Sequence, residues 1–200
     1  MSRASIPELR RALAEGPPTA EAHARLGTAL LGAGAVRQAE RELRKAIDLD
    51  PGCAAAWVNL GGILLSRWEF GAAVEANRRA AAADPRLALA HFNQAIGHLH
   101  LGEPGRAVDA LARAIELEPR NGAAFYHLGI ALHPLGRSAE ARLCVAYAGE
   151  LGYRPGPASA EALERAAATA MGAPEPGASR QEASPTGSAQ GERHGTAQGR

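Results

Sequence analysis

Three prolines, Pro51, Pro85 and Pro119, stand 34 residues apart, and this period constrains the chain more than any other feature it has. Ala39, Ala73, Ala107 and Ala141 keep the same step, as do Ala46, Ala80, Ala114 and Ala148. Gly27, Gly61 and Gly129 mark another phase, with Ala95 in the intervening slot. Residues 54–85 show the unit most plainly. Two stretches of about a dozen residues carry apolar side chains at helical spacing, a short turn joins them, and Pro85 closes the second. A helix pair cannot bury its apolar faces alone. The period therefore implies a stack in which each pair packs on its neighbours and no single central core is needed.

The residues at fixed places in the unit are informative too. Trp57, Leu60, Gly61 and Leu64 mark its first helix, and Ala73, Ala80 and Pro85 its second. This order, W-x-x-L-G-x-x-Y followed by Ala and then Pro at a 34-residue period, resembles the tetratricopeptide repeat (TPR) family, in the form expected of a bacterial protein, over about three quarters of the chain. The resemblance implies an all-α fold, a right-handed α-solenoid of antiparallel helix pairs. Lys45 is the only lysine. With the heavy use of Ala and Gly, that points to a GC-rich bacterial genome.

Taken in order, residues 1–16 are expected to form an N-terminal capping helix. Leu9, Ala12 and Pro17 lie one period before Leu43, Ala46 and Pro51, so this helix fills the slot of a second repeat helix whose first is missing. Ser5 is its candidate N-cap, and Pro7 sits in the first turn, where a missing N–H costs little. Four units follow over residues 20–153, divided as 20–53, 54–87, 88–121 and 122–153. In the second, Trp68 takes the turn slot held elsewhere by Gly34, Gly102 and Gly136, and is expected to cover the neighbouring interhelix surface. In the third, His91 replaces the Trp, and His98 fills an apolar slot; both are expected to pack and hydrogen-bond. In the fourth, Pro134 should end the first helix about a turn early. Residues 154–172 suit a C-terminal capping helix, centred on Ser159–Met171. Residues 173–200 contain no Leu, Ile, Val, Phe, Trp, Tyr or Met and are expected to stay disordered.

The resemblance implies that the first helix of each pair lines a concave face. The central line of that face would be Arg25, Asn59, Asn93 and His127, flanked by Val58, Phe92, Ile96, Leu99, His100, Tyr126 and Ile130. Glu21 is the only carboxylate at these positions. Asn59 and Asn93 are the sharpest feature, because an amide offers donors and an acceptor that can pair with both C=O and N–H of an extended peptide. They resemble part of the asparagine ladder in the TPR arm of O-linked N-acetylglucosamine transferases, interrupted at both ends by Arg25 and His127. Two solvated asparagines would look the same in sequence. The carboxylate clamp of chaperone-binding TPR domains is not matched: its slots hold Ala24, Thr28, Asn59, Leu89 and Asn93, and only Asn59 agrees, so the cations are missing.

Other classes of function find little support. A net charge of +1 provides no field to recruit nucleic acid or an anionic membrane. Cys53 and Cys144 are 91 residues apart, which indicates neither a zinc site nor a disulfide framework. His100, His127 and His133 fall at concave positions, but none are paired at i, i+4 and no carboxylate stands near to orient a ring, so no metal or other cofactor is expected. No nucleophile motif, Walker loop or H-E-x-x-H occurs. The N-terminus has no apolar leader and no stretch reaches the ~18 apolar residues of a membrane span, so a cytoplasmic protein is expected. The function expected is that of a non-catalytic, monomeric adaptor that binds a peptide or helical segment of a protein partner in its groove. The alternative is a substrate-recruiting subunit, or truncated relative, of a TPR-containing glycosyltransferase or sulfotransferase. A third possibility is self-assembly through the stack ends, which the two terminal caps oppose.

Overall fold

The breaks in the sequence become helix ends in the structure, a computed structural model that describes residues 4–156. Nine α-helices occur among the described residues: α1 (Ile6–Glu15), α2 (Ala20–Gly32), α3 (Val36–Leu49), α4 (Ala54–Ser66), α5 (Phe70–Ala83), α6 (Ala88–His100), α7 (Pro104–Leu117), α8 (Gly122–Leu132) and α9 (Ser138–Glu150). Helices α2 and α3, α4 and α5, α6 and α7, and α8 and α9 form four pairs. The first helices of successive pairs also touch: α2 lies on α4, α4 on α6, and α6 on α8. This is a right-handed α-solenoid of antiparallel helix pairs. Its inner face is built from α2, α4, α6 and α8. Residues 157–200, which include the expected Ser159–Met171 helix and the 173–200 tail, lie outside the described residues.

Local chemistry sets the helix boundaries. Ser5 caps α1 through a capping box with Glu8: the hydroxyl accepts from the Glu8 N–H, and the Glu8 carboxylate accepts from the Ser5 N–H. Thr19 and Asn121 cap α2 and α8 in the simpler way. Helix α8 stops at Leu132, and Pro134 lies in the 3₁₀ turn His133–Leu135 that follows. At the start of units two and three a side chain ties down the preceding unit's closing proline. The Trp57 indole N–H donates to the Pro51 carbonyl at 2.8 Å, and His91, one unit on, bonds the Pro85 carbonyl at 3.2 Å. His91 thus keeps the hydrogen bond of the Trp it replaces. The turn within each pair needs a left-handed residue, and Gly34, Gly102 and Gly136 supply it with φ of 73°, 72° and 76°.

The two helices of a pair meet where one side chain is missing. A Cβ on Gly129 would lie 2.9 Å from the Ala141 carbonyl oxygen and 2.7 Å from a Val145 methyl. On Gly61 it would overlap the Asn77 side-chain amide, 2.1 Å from its nitrogen. Around these contacts the core is aliphatic and small: Leu26, Leu30, Leu43, Ala46, Leu111 and Ala114 are all buried. Against α2, helix α1 sets Ile6, Leu9 and Leu13 beside Leu26, Leu30 and Ala39. Among the described residues no helix is long and apolar enough to cross a membrane.

The Gly129 slot yields a direct test. Besides the Val145 methyl, the obstacle is the Ala141 carbonyl oxygen, which is backbone and cannot swing aside as a side-chain end can. Gly129→Ala should therefore destabilise the protein by about 1–3 kcal/mol through overpacking, read as a lowered midpoint in urea unfolding followed by circular dichroism.

Candidate functional site

The inner face is nearly free of ions because the charges sit elsewhere. Salt bridges decorate the second helices of the pairs: Arg44–Glu40 and Lys45–Glu42 on α3, Arg78–Glu75 and Arg79–Glu75 on α5, Arg113–Glu116 on α7, and Arg137–Glu140 around α9. Along α2, α4, α6 and α8 the sequence supplies only Glu21, Arg25 and histidines. Two depressions lie along this side. One, of about 820 Å³, opens at the N-terminal end between α1 and α2 and is lined by Ile6, Leu9, Glu21, Arg25, Thr28 and Asp50 among others. The second, of about 310 Å³, lies over α2, α4 and α6 and is lined by Leu31, Asn59, Gly62, Ser66, Leu89 and Asn93 among others.

The two asparagines are not equivalent. Asn59 is half-buried at the groove floor, where its Nδ2 donates to the Thr28 hydroxyl at 2.8 Å and the hydroxyl donates to the Ala24 carbonyl at 2.9 Å. Asn93 is only 9% exposed and turns its Nδ2 toward Asn77 Oδ1 at 3.3 Å. Asn77 is itself fully buried; its Nδ2 donates to the Ala73 carbonyl at 2.8 Å, and its backbone carbonyl accepts from Gln94 at 3.3 Å. The expectation of two matching exposed amides is corrected here. Asn77 stands one period from Leu43 and Leu111, and two from Val145, so repeat two carries an amide where the others carry an aliphatic side chain. A buried amide needs a partner, and Asn93 is drawn inward to provide one.

Two further expected groove residues are buried instead. Val58, at 5% exposure, packs with Ala80 and Ala90. Tyr126, at 1%, lies against the rings of His127 and Tyr153 at 5.5 Å and 5.3 Å. Phe92, Ile96, Leu99 and Ile130 are half-buried. Phe92 meets the His127 ring edge-on at 5.5 Å and, with Leu99, backs onto the core of the last two repeats. Arg25 is exposed at the N-terminal depression.

The histidines divide the same way. His127 has a buried Nδ1 with no hydrogen-bond partner, and so does Nε2 of His133. Burial, with a smaller contribution from the His100 charge, lowers the His127 pKa from 6.5 to about 4. His100 is exposed and stacks on Phe70, centroids 4.2 Å apart and planes within 1°. Among the described residues no group of three His, Cys, Asp or Glu is placed to hold a metal ion.

Trp68 departs from expectation. It is 74% exposed, and its ring contacts are edge contacts with Phe70 on α5 and His100 on α6, at 5.7 Å and 5.8 Å, so it covers little of the neighbouring interhelix surface. Its neighbour Arg67 forms a two-pronged bond with Glu40 on α3, at 3.0 Å and 2.5 Å, which holds that carboxyl below its usual range. Sequence reasoning passed over this clasp, because no local spacing links residues 40 and 67.

The His127 environment gives a pH prediction. The folded protein keeps this ring neutral, while the unfolded chain takes up its proton at the ordinary pKa of 6.5. Stability should therefore be complete above that value, fall as pH drops toward 4, and fall no further from this source below it. The loss approaches about 3 kcal/mol. His127→Leu should remove this component, so urea midpoints of wild type and variant, compared between pH 7 and pH 4, should diverge with wild type falling faster.

With the geometry set out, comparison with known proteins is informative. The family profile described as Tetratricopeptide repeat matches residues 25–88 and 92–155. No curated protein matches the chain. Among solved structures, a crystal structure of MamA is 26% identical with a TM-score of 0.65, covering 74% of this chain and 86% of that one. Another crystal structure of MamA protein is 27% identical, TM-score 0.63, with 73% and 80% covered. MamA from residue 41 onward from Desulfovibrio magneticus RS-1 shares the fold at 20% identity and TM-score 0.64, with 74% and 83% covered.

Proposed function

The chain belongs to the tetratricopeptide repeat family, a protein-interaction scaffold, and on that premise we propose that it is a non-catalytic adaptor holding an extended or short helical segment of another protein in its inner groove. The observation that carries this reading is the segregation of charge: ion pairs occupy the second helices, and the first helices present half-buried apolar side chains around a few uncharged polar groups. Such a surface loses little on desolvation and suits a peptide whose backbone is bound through amides. In this reading residues 1–16 cap the array, residues 20–153 bind, and the protein works as a monomer.

Asn59 is the amide best placed to act. One of its two amide hydrogens goes to Thr28, which fixes the side chain and leaves the carbonyl oxygen and the second hydrogen for a peptide backbone. Phe92, Ile96, Leu99 and Ile130 would supply apolar contact, with Arg25 and His127 setting the two ends. Asn93 would act indirectly, as the partner of Asn77.

The test is affinity capture from source-cell lysate with wild type, Asn59→Ala and Ile96→Ser as baits, read by mass spectrometry. A groove-bound partner should be captured by wild type and weakened by about two- to tenfold on loss of the Asn59 hydrogen bond. Equal capture by all three baits would place the interface on another surface.

A further inference from the structure

Trp68 is the one residue other than glycine with positive φ among the described residues, at 64°. The same turn slot in the other three repeats holds glycine at nearly the same φ. A bulky side chain in this region is sterically strained, and a glycine would relieve the strain. Nor does burial compensate, because the ring is 74% exposed. The Phe70–His100 stack behind it is complete without it. The turn is held from the other side by Arg67, whose guanidinium is committed to Glu40. Trp68 is thus fixed, strained and open to solvent at the edge of the groove, two residues beyond Ser66, which lines the central depression.

The other tryptophan of the chain indicates what such a ring takes. Arg79 places its guanidinium 4.9 Å from the centroid of the Trp57 ring, and Glu75 holds Arg79 there at 2.9 Å. Trp68 has the matching pieces without the cation. The Glu69 side chain beside it is exposed and forms no hydrogen bond or salt bridge among the described residues; its charge reaches the Arg67 guanidinium, but that group is paired with Glu40. An exposed, electron-rich ring with a carboxylate at the next residue that is in no ion pair suits a guanidinium, which can stack and pair together.

We propose that Trp68, backed by Phe70 and His100 and flanked by Glu69, is the docking site for an arginine side chain of the bound protein segment. This rests on the groove-binding reading above and adds a specificity to it: a basic residue at the end of the segment that leaves the groove over the turn between α4 and α5.

A displayed library of random twelve-residue peptides, panned on the full-length protein, tests the assignment. Peptides selected by wild type should share an arginine at a fixed position, and selection on Trp68→Gly should lose that preference while keeping the apolar one. For a synthesised selected peptide, replacing the arginine by citrulline, which has the same shape without the charge, should weaken binding to wild type by about three- to tenfold and weaken binding to Trp68→Gly by clearly less, since only Glu69 remains there. Glu69→Gln should show a smaller loss in the same direction. Trp68→Gly should also raise the melting temperature. Selection without an arginine preference, or a preference that survives in Trp68→Gly, overturns the site but leaves groove binding intact. No enrichment on wild type overturns groove binding and the site with it. A melting temperature lowered by Trp68→Gly would make the ring a packing residue and overturn the site as well.

Discussion

The close approach of the two helices in each pair is the contact on which the other features depend. It requires one slot per repeat with almost no side chain, filled by Gly27, Gly61, Ala95 and Gly129 in turn. Where the helices meet this closely, thin aliphatic side chains fill the seam, and a chain with 4% aromatic residues can still bury a continuous core. Each pair then has nearly the same shape as the next. The stack repeats regularly, and the first helices are brought side by side to form one face.

That regularity separates two kinds of surface. The second helices look outward and carry close-spaced Glu–Arg pairs, which solvent screens and which contribute little individually to stability. The inner helices carry almost no charge, so a partner laid on them would strip water from amides, hydroxyls and hydrocarbon instead of from ions. The exception is the Glu40–Arg67 pair, which joins one repeat to the next and fixes the turn that ends α4. It shapes the edge of the groove without charging its floor.

Much of the architecture was legible in the sequence because it rests on period and phase, which are properties of single positions. Pro51, Pro85 and Pro119 located the units, Gly34, Gly102 and Gly136 located the left-handed turns, and Pro134 located the early end of α8. The groove was less legible, because exposure at a given slot depends on what the adjoining repeat sets against it. Val58, Phe92 and Tyr126 share one slot, yet Phe92 is half-buried and the other two are covered. Asn59 and Asn93 also share a slot, and Asn93 turned inward because residue 77, sixteen positions earlier and on another helix, is an amide. That signal was present, since Asn77 breaks the phase of Leu43 and Leu111, but its consequence needed the packing to be seen.

The buried Asn77–Asn93 contact also bears on how such an array can change length over generations. Solenoids gain and lose whole repeats readily when every junction is alike. Here the junctions are not interchangeable. Excising residues 54–87 would remove Asn77 and seat Asn93 where Asn59 now meets the Thr28 hydroxyl, so no core amide would be orphaned. Excising residues 88–121 would instead carry His127 into the place of Asn93, where a ring nitrogen could meet the Asn77 oxygen. Losing the second repeat takes the core amide with it, whereas losing the third leaves Asn77 in need of the new partner, so a single amide in the core makes the repeats of a periodic molecule unequal in how freely they can be lost.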